Sequence, residues 1–432
     1  MSFDFLLDPS VRWVLAGSIL IGISSGVLGS FALLRRRSLM GDAVAHAALP
    51  GVAVAFILAG TRSLPLMLLG ALVAGLLGAF FIQSVIKHTR IKEDTALGLI
   101  LSVFFAFGIV LLTQIQHSGA GGQAGLDKYL FGQAAALIGS DVQMMAVSAA
   151  AVCVIAILMF KEFKLLCFDP GFAKGIGFSP KVLDGMLMFL IVVTVVIGMQ
   201  SVGVVLMAAM LIIPAASARF WTNKLSLMVT LAALFGAVSG AIGTLLSTVG
   251  LRLPTGPLIV LAASAVFAVS MLFAPDRGIL ARIARRLSLR GRVAKENALR
   301  DFYELAEACD CWDIEATATE LAAGRGVRAS AMITTLRKLV HEGLVAEAGG
   351  RYRLTDEGLA KAYTITRRHR LWEMFLMHEG QLGSDHVHRD ADEVEHHMPT
   401  ELEAELEKLL AFQGIEMKLP PSIHPIETQG GV

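Results

Sequence analysis

Nine apolar segments dominate the first 274 of the 432 residues, and each is close to the length of a membrane-spanning helix. A helix crosses the hydrocarbon layer of a bilayer with about 20 predominantly apolar residues. The segments lie at residues 12–34, 43–60, 64–86, 95–116, 141–160, 181–199, 200–218, 226–249 and 257–274. The sequence therefore predicts an all-α polytopic membrane protein with about nine transmembrane helices.

The charge content changes abruptly after residue 274. Residues 1–274 carry 16 Lys+Arg and 10 Asp+Glu, whereas residues 275–432 carry the other 21 and 26. Eight of the 11 histidines also lie in the second part. Because soluble domains carry charges at this density, we expect a cytosolic domain after the membrane part. The composition excludes a disordered chain and a secreted disulfide scaffold.

Every second connection between the apolar segments is rich in lysine and arginine. Arg35, Arg36 and Arg37 follow the first segment, and Lys161 and Lys164 follow the fifth. Since short loops rich in these residues stay in the cytoplasm, we expect the N-terminus outside and the C-terminal domain in the cytoplasm. The seventh segment is interrupted by a proline, so eight crossings with a broken helix are the alternative.

Asp42 and His46 are polar residues at the start of the second segment, where a charge is costly and indicates function. Their spacing of four residues places carboxylate and imidazole on one face of a helix. A divalent metal that accepts oxygen and nitrogen ligands can bridge such a pair. The alternative is a simple Asp–His hydrogen bond, or an aspartate stabilised by the positive end of the helix dipole.

Four stretches of the membrane part resemble one protein family, in that family's order. They are residues 37–52, 130–132, 168–177 and 207–216. This part resembles the integral-membrane subunits of bacterial ABC importers for manganese, zinc and iron. The resemblance implies a permease in the cell membrane of a bacterium. It also implies that Asp42 and His46 contact the transported metal, which is Mn²⁺, Zn²⁺ or Fe²⁺, and that no cofactor is permanently bound.

The same resemblance implies several partners. They are a second permease subunit in a homo- or heterodimer, cytosolic ATP-binding subunits and an extracytoplasmic metal-binding lipoprotein. No G-x-x-x-x-G-K-[ST] motif occurs in the sequence, so we expect ATP hydrolysis in a separate subunit and no enzymatic activity here.

The cytoplasmic loop 163–181 contains a short helix predicted between Pro170 and Pro180. In the resembled family this is the coupling helix that docks on the ATPase, and the alternative is an ordinary amphipathic connector. The residues that the resemblance assigns to coupling are Phe168, Asp169, Pro170, Phe172, Ala173, Lys174, Gly175 and Gly177.

Glycines recur at spacings of three or four on one face of two apolar segments. They are Gly22, Gly26 and Gly29 in the first segment, and Gly236, Gly240 and Gly243 in the eighth. Such faces let helices pack closely in lipid, so we expect a tightly packed bundle. The four cysteines, in contrast, predict no framework of disulfides and favour a reducing cytosolic environment.

The domain after the membrane part has the pattern of a winged helix. Two helices are predicted within residues 319–343, around a Gly-Arg-Gly turn, and a short hairpin follows with Gly349 and Gly350 as its turn. The preceding stretch 275–295 carries seven Lys+Arg and one acidic residue, so we expect it to contact anionic lipid headgroups. DNA binding is not expected, because the domain is acidic overall and affinity for DNA depends on neutralised phosphates.

A dense cluster of histidines and carboxylates follows the hairpin. It contains His369, Glu373, His386, His388, Asp392, Glu395, His396 and His397. Donors of this kind at this density are typical of a metal site, and the alternative is a solvated acidic helix.

Residues 296–425 resemble metal-dependent repressors of the diphtheria-toxin-repressor type. The resemblance assigns metal binding to His369, Glu373, His388, Asp392, Glu395 and His396. One departure is that Asn297 and Arg300 stand in the first helix, where the family supplies further ligands, and a cation there argues against a complete binuclear site. The carboxylate of Asp392, in place of a thiol, favours Mn²⁺.

These observations predict five regions: a permease domain (1–275), a basic linker (276–295), a winged-helix-like domain (296–360), a helical metal-binding or dimerisation-like domain (361–425) and a flexible tail (426–432). The predicted function is a permease subunit for a divalent transition metal, Mn²⁺ first, whose cytosolic part senses metal and regulates transport in cis. The alternative is a membrane-tethered, metal-responsive transcriptional regulator. That class requires a strongly basic recognition helix, whereas residues 319–343 offer few cations.

Overall fold

The computed structural model describes residues 9–37, 39–60, 63–117, 137–249 and 253–378, together with residues 405, 406 and 408. The chain separates into two compact units, Met1–Arg282 and Ile283–Val432. The boundary falls close to the change in charge density after residue 274. Each unit has an apolar core of its own.

The described residues of the first unit form helices and the short connections between them. Its helices are α1 (Pro9–Leu34), α2 (Met40–Ala59), α3 (Leu64–His88), α4 (Glu93–His117), α5 (Gly139–Leu158), α6 (Phe160–Phe168), α7 (Pro170–Gly175), α8 (Pro180–Val202), α9 (Val204–Trp221), α10 (Leu225–Val249) and α11 (Thr255–Phe273). Among the described residues, eight helices are long and apolar enough to cross a membrane, and α9 contains a shorter apolar section. The prediction of an all-α polytopic membrane protein is confirmed.

The seventh predicted segment forms a short helix of its own. Gly203 alone separates α8 from α9, with a φ of 90° that glycine adopts without strain. Pro214 then lies inside α9, where it removes one backbone hydrogen bond. The apolar section of α9 is only Met207–Trp221, so the number of crossings, nine or eight, stays a prediction.

Helices α1 and α10 approach each other through their glycines. A Cβ added to Gly22 would collide with the backbone of Gly236, and a Cβ added to Gly26 would collide with the backbone of Ala232. Backbone therefore lies against backbone along this interface, as small residues permit in membrane helices. The packing role predicted for these glycines is confirmed.

We expect replacement of Gly22 by alanine to destabilise the first unit by about 1 to 3 kcal/mol, because the new methyl group forces two backbones apart. The measurement is the unfolding temperature of the purified chain in detergent. Gly98→Ala on α4 is the matched control, since no other atom lies near its Cβ position and alanine favours the helix. An unfolding temperature of Gly22→Ala at or above that of the control would contradict the close approach.

Helix α2 lies inside the bundle formed by the first unit. Its buried positions extend from Met40 to Phe56, and it packs against α3, α4, α8 and α9. A helix with apolar neighbours on several sides must be apolar over most of its circumference. Any polar residue on α2 is therefore brought close to the interior of the bundle.

The second unit combines helices with a small antiparallel sheet. Its elements are α12 (Ile279–Cys309, beginning in the first unit), β1 (Ala316–Thr317), α13 (Ala318–Arg325), α14 (Ala329–His341), β2 (Val345–Ala348), β3 (Arg351–Leu354) and α15 (Asp356–His378). The strand order is β1-β3-β2. The predicted pair of helices and the hairpin are present, and β1 is an addition that the sequence pattern does not indicate.

Local chemistry explains where these elements turn. Gly349 and Gly350 have φ of 60° and 81°, as a two-residue hairpin turn of type I′ requires. The backbone N–H of Thr317 donates to the Glu320 carboxylate over 2.7 Å, and the Thr317 hydroxyl accepts from the Glu320 N–H. This capping box begins α13. The backbone hydrogen bond from Thr317 lowers the pKa of Glu320.

The sequence predicts no framework of disulfides, and the structure has one bridge, between two neighbouring cysteines. The sulfurs of Cys309 and Cys311, at the end of α12, are bonded to each other. Asp310 between them has a φ of 53°, in the left-handed region of the backbone map. Cys153 and Cys167 are free thiols.

Candidate metal site and coupling segment

Asp42 and His46 lie together on the first two turns of α2. The Nε2 atom of His46 is 3.4 Å from Oδ1 of Asp42, and their side chains are 15% and 33% exposed respectively. The four-residue spacing thus places both side chains on one face, as a helix requires. The pair is partly enclosed but retains access to solvent at the Asp42 carboxylate.

The His46 ring has one nitrogen without a partner. Its Nδ1 atom is buried and has no hydrogen-bond partner. The ring packs edge-on against Phe105 of α4, with 4.8 Å between ring centroids. An unsatisfied buried nitrogen is costly, and a bound ligand would remove that cost. Imidazole nitrogen and carboxylate oxygen are together suitable donors for a divalent transition metal.

The chain supplies few donors at this place. Within the described residues, no group of three or more His, Cys, Asp or Glu side chains could hold a metal ion. A metal at Asp42 and His46 would therefore complete its coordination with water, backbone oxygen or groups from elsewhere. Incomplete coordination favours weak binding, which a pathway requires so that the ion can leave.

A cluster of charges lies directly before α2. Arg35 contacts Oδ1 of Asp184 over 3.1 Å, and Arg37 contacts the other oxygen of the same carboxylate. Arg37 also lies 3.0 Å from Glu93 at the start of α4. We call Arg35, Arg37, Glu93 and Asp184 the arginine network. It joins the loop between α1 and α2 to the first turns of α4 and α8.

Asp184 is a functional residue that the sequence pattern does not indicate. In the sequence, Arg35 and Arg37 indicate only a cytoplasmic loop, and their partner lies 149 and 147 residues away along the chain. The available signal was an acidic residue in the first turns of an apolar segment, since such a charge is retained only with a partner. Asp184 is 8% exposed, which agrees with a paired carboxylate.

The predicted coupling segment forms the short helix α7. The Asp169 carboxylate accepts a hydrogen bond from Phe172 N over 2.8 Å, and Pro170 occupies the first helical position. These are standard N-terminal signals. Ala173 is buried, whereas Phe168, Asp169, Pro170, Phe172, Lys174, Gly175 and Gly177 are exposed.

Two large apolar side chains project from this segment. Phe168 is 59% exposed and Phe172 is 58% exposed. Large exposed aromatic residues close together in the chain and outside the spanning helices favour a contact with another protein. The arginine network reaches the same region, because Arg35 donates to the backbone oxygen of Leu166 in α6 over 3.3 Å.

In the second unit, His369 and Glu373 meet on α15 as their spacing predicts. His369 Nε2 is 3.0 Å from Glu373 Oε1, and both residues are almost fully buried. The other nitrogen, Nδ1, is 2.7 Å from a guanidinium nitrogen of Arg300 on α12. The remaining predicted donors, at positions 386–397, lie outside the described residues.

Eight long apolar helices among the described residues and a metal-compatible polar pair on one of them are together typical of a multi-pass membrane transport protein. The chain belongs to the ABC 3 transport family, whose model matches residues 8–274. The predicted relationship to ABC importer permeases is therefore confirmed.

Known relatives agree with this assignment. The chain is 45% identical to the "Manganese transport system membrane protein MntC" of Bacillus subtilis (strain 168), over 95% of this chain and 93% of the relative. It is 46% identical to the "Zinc transport system membrane protein TroC" of Treponema pallidum (strain Nichols), over 65% of this chain and 94% of the relative.

A solved structure also matches the membrane part. It is "PsaBC from Streptococcus pneumoniae in complex with Fab", 35% identical, with a TM-score of 0.57. The match covers 63% of this chain and 95% of the matched chain.

Residues 355–418 match a second family model, the "Iron dependent repressor, metal binding and dimerisation domain". The predicted repressor-like domain is therefore present. The described residues of this domain do not fit a metal at His369, because Arg300 and Glu373 contact both of its ring nitrogens.

Proposed function

We propose that this chain is the permease subunit of an ATP-driven importer of a divalent transition metal, Mn²⁺ first and Zn²⁺ or Fe²⁺ as the other candidates. The Asp42–His46 pair at the start of α2 carries the proposal, since it offers oxygen and nitrogen on one enclosed face. The names of the relatives, one a manganese and one a zinc transport protein, support the same class of substrate.

The energy for transport comes from partners in this proposal. The sequence lacks the phosphate-binding G-x-x-x-x-G-K-[ST] motif, so ATP hydrolysis belongs to separate cytosolic ATP-binding subunits. These dock on the end of α6 and on α7, where Phe168 and Phe172 respectively are exposed. A second permease subunit and an extracytoplasmic metal-binding lipoprotein complete the assembly.

The arginine network provides a route between the docking segment and the metal site. Arg35 joins the backbone of Leu166, close to α7, to the Asp184 carboxylate. Arg37, bound to the same carboxylate, lies in the connection that leads into Asp42. A displacement of α7 by the ATPase would therefore move the first turn of α2 through short, charge-assisted contacts.

The basic connections favour an orientation with the N-terminus outside the cell membrane and the C-terminal domain in the cytoplasm. In this arrangement residues 276–295 lie near anionic lipid headgroups. The winged-helix-like region 296–360 and the remaining residues 361–432, most of which lie outside the described part of the chain, are then cytosolic.

The cytosolic part acts as a regulator in cis in this proposal. Its sensing donors are His388, Asp392, Glu395 and His396, because Arg300 already contacts His369. The alternative, a membrane-tethered transcriptional regulator, is favoured by the match to a repressor domain. It leaves the polar pair inside the membrane unit without a role.

The test is uptake of radioactive manganese by cells that lack this chain and by the same cells with the gene restored. We expect restoration to return uptake, and unlabelled Mn²⁺ to compete with it. Mg²⁺ at the same concentration should not compete, because it prefers oxygen ligands in octahedral geometry. Equal competition by Mg²⁺, or no effect of restoration, would refute the proposed substrate class.

A further inference from the structure

The Arg300 side chain is buried in the second unit, where the sequence predicts a metal. It is 1% exposed, which is exceptional for a cation. One guanidinium nitrogen lies 2.7 Å from Nδ1 of His369, and Nε lies 3.5 Å from the Glu304 carboxylate. The carboxylate of Glu373 lies on the opposite side of the same imidazole.

The donor chemistry determines the state of this histidine. An arginine side chain has N–H donors and no acceptor, so Nδ1 of His369 must accept from Arg300. The single hydrogen of the neutral ring is then on Nε2, where it is donated to Glu373 over 3.0 Å. Both ring nitrogens are used, and no lone pair of His369 remains for a metal ion.

A second contact joins the same two helices, and here the arginine is on α15 and its partner is on α12. Arg370 of α15 is 2% exposed and donates to both carboxylate oxygens of Glu307 on α12. Each helix therefore contributes one buried arginine to a partner on the other. Such paired, directional contacts fix the register of two helices.

We propose that Arg300 is an internal cation that replaces a metal ion at His369 and Glu373. The guanidinium supplies, within the chain, the positive charge that a divalent ion would bring to these side chains. This part of the domain is then a metal-independent connection between α12 and α15. It keeps the same structure whether cytosolic metal is scarce or abundant.

Hydrogen exchange of the full-length chain in detergent, followed by mass spectrometry, tests the proposal on peptides from residues 299–309 and 365–378. We expect exchange in both peptides to differ by less than about twofold between EDTA and excess Mn²⁺. Strong protection of the wild-type peptides by Mn²⁺, lost in His369→Gln, would overturn the proposal because it requires a metal that displaces Arg300.

Two variants of Arg300 sharpen the test. Arg300→Glu replaces the cation by an oxygen donor beside His369 and two carboxylates, so we expect about tenfold faster exchange in EDTA and recovery with Mn²⁺. Arg300→Lys keeps the charge and should stay insensitive to Mn²⁺. Arg290→Glu, at an exposed position of the same helix, is the matched control. The proposal is wrong if Arg300→Glu folds and its exchange is the same with and without Mn²⁺, or if the exchange of Arg300→Lys depends on Mn²⁺. If Arg300→Glu does not fold, the results for the wild type and for Arg300→Lys decide.

Discussion

Cells that carry Asp42→Ala should lose metal uptake by more than about tenfold, because the pair on α2 then keeps only one of its two donors. The loss should occur with normal amounts of the chain in the membrane, since Asp42 is partly exposed and its contact with His46 contributes little to stability. The measurement is the initial rate of radioactive manganese uptake, normalised to the amount of permease in the membrane.

The control for Asp42 is Asp94→Ala. Asp94 lies in the first turn of α4 and is exposed, so it matches Asp42 in residue type and helix position without facing His46. We expect this variant to transport at the wild-type rate. Wild-type uptake by Asp42→Ala itself would exclude Asp42 from the metal pathway.

Asp184→Asn should destabilise the first unit by about 3 kcal/mol and reduce uptake, because it leaves Arg35 without its carboxylate partner near the bundle interior. Arg37 would still contact Glu93. The unfolding temperature in detergent reports the loss of stability. The ratio of metal transported to ATP hydrolysed by the complex with its ATPase reports the proposed coupling role, which a purely structural residue would not alter.

Asp184→Glu tests whether the negative charge of the side chain or its length matters at position 184. It retains the carboxylate, so we expect much of the stability and of the transport-to-hydrolysis ratio to return. The proposed route from α7 to α2 would be contradicted if Asp184→Asn lowered stability while that ratio stayed at its wild-type value.

The membrane fold was largely predictable because lipid imposes a simple requirement. A spanning helix must be long and apolar, and the nine predicted segments all coincide with helices. The break between α8 and α9 was harder, since it depends on the backbone conformation of Gly203. The contact of Gly22 with Gly236 could be anticipated from residue size, although their pairing across the chain could not.

The contacts at the two candidate sites differ in how far they could be predicted from the sequence. The closeness of Asp42 to His46, and of His369 to Glu373, follows from helical spacing, which needs no tertiary information. The contact of Asp184 with Arg35, and of Arg300 with His369, joins residues far apart in the chain. The sequence showed that Arg300 stands where a ligand was expected, but only the fold shows that its guanidinium contacts the histidine.

Reconstitution tests the central claim most directly. The purified chain, its ATP-binding partner and a second permease subunit are placed in lipid vesicles that contain a fluorescent metal indicator. The metal-binding lipoprotein is added outside the vesicles, and entry of Mn²⁺ is followed with and without ATP on the side of the ATP-binding subunits. We predict ATP-dependent accumulation by the wild type and none by Asp42→Ala. Failure of the wild type to accumulate Mn²⁺, Zn²⁺ or Fe²⁺ with an ATPase that is hydrolysing ATP, or equal accumulation by Asp42→Ala, would contradict a permease whose metal pathway passes Asp42 and His46.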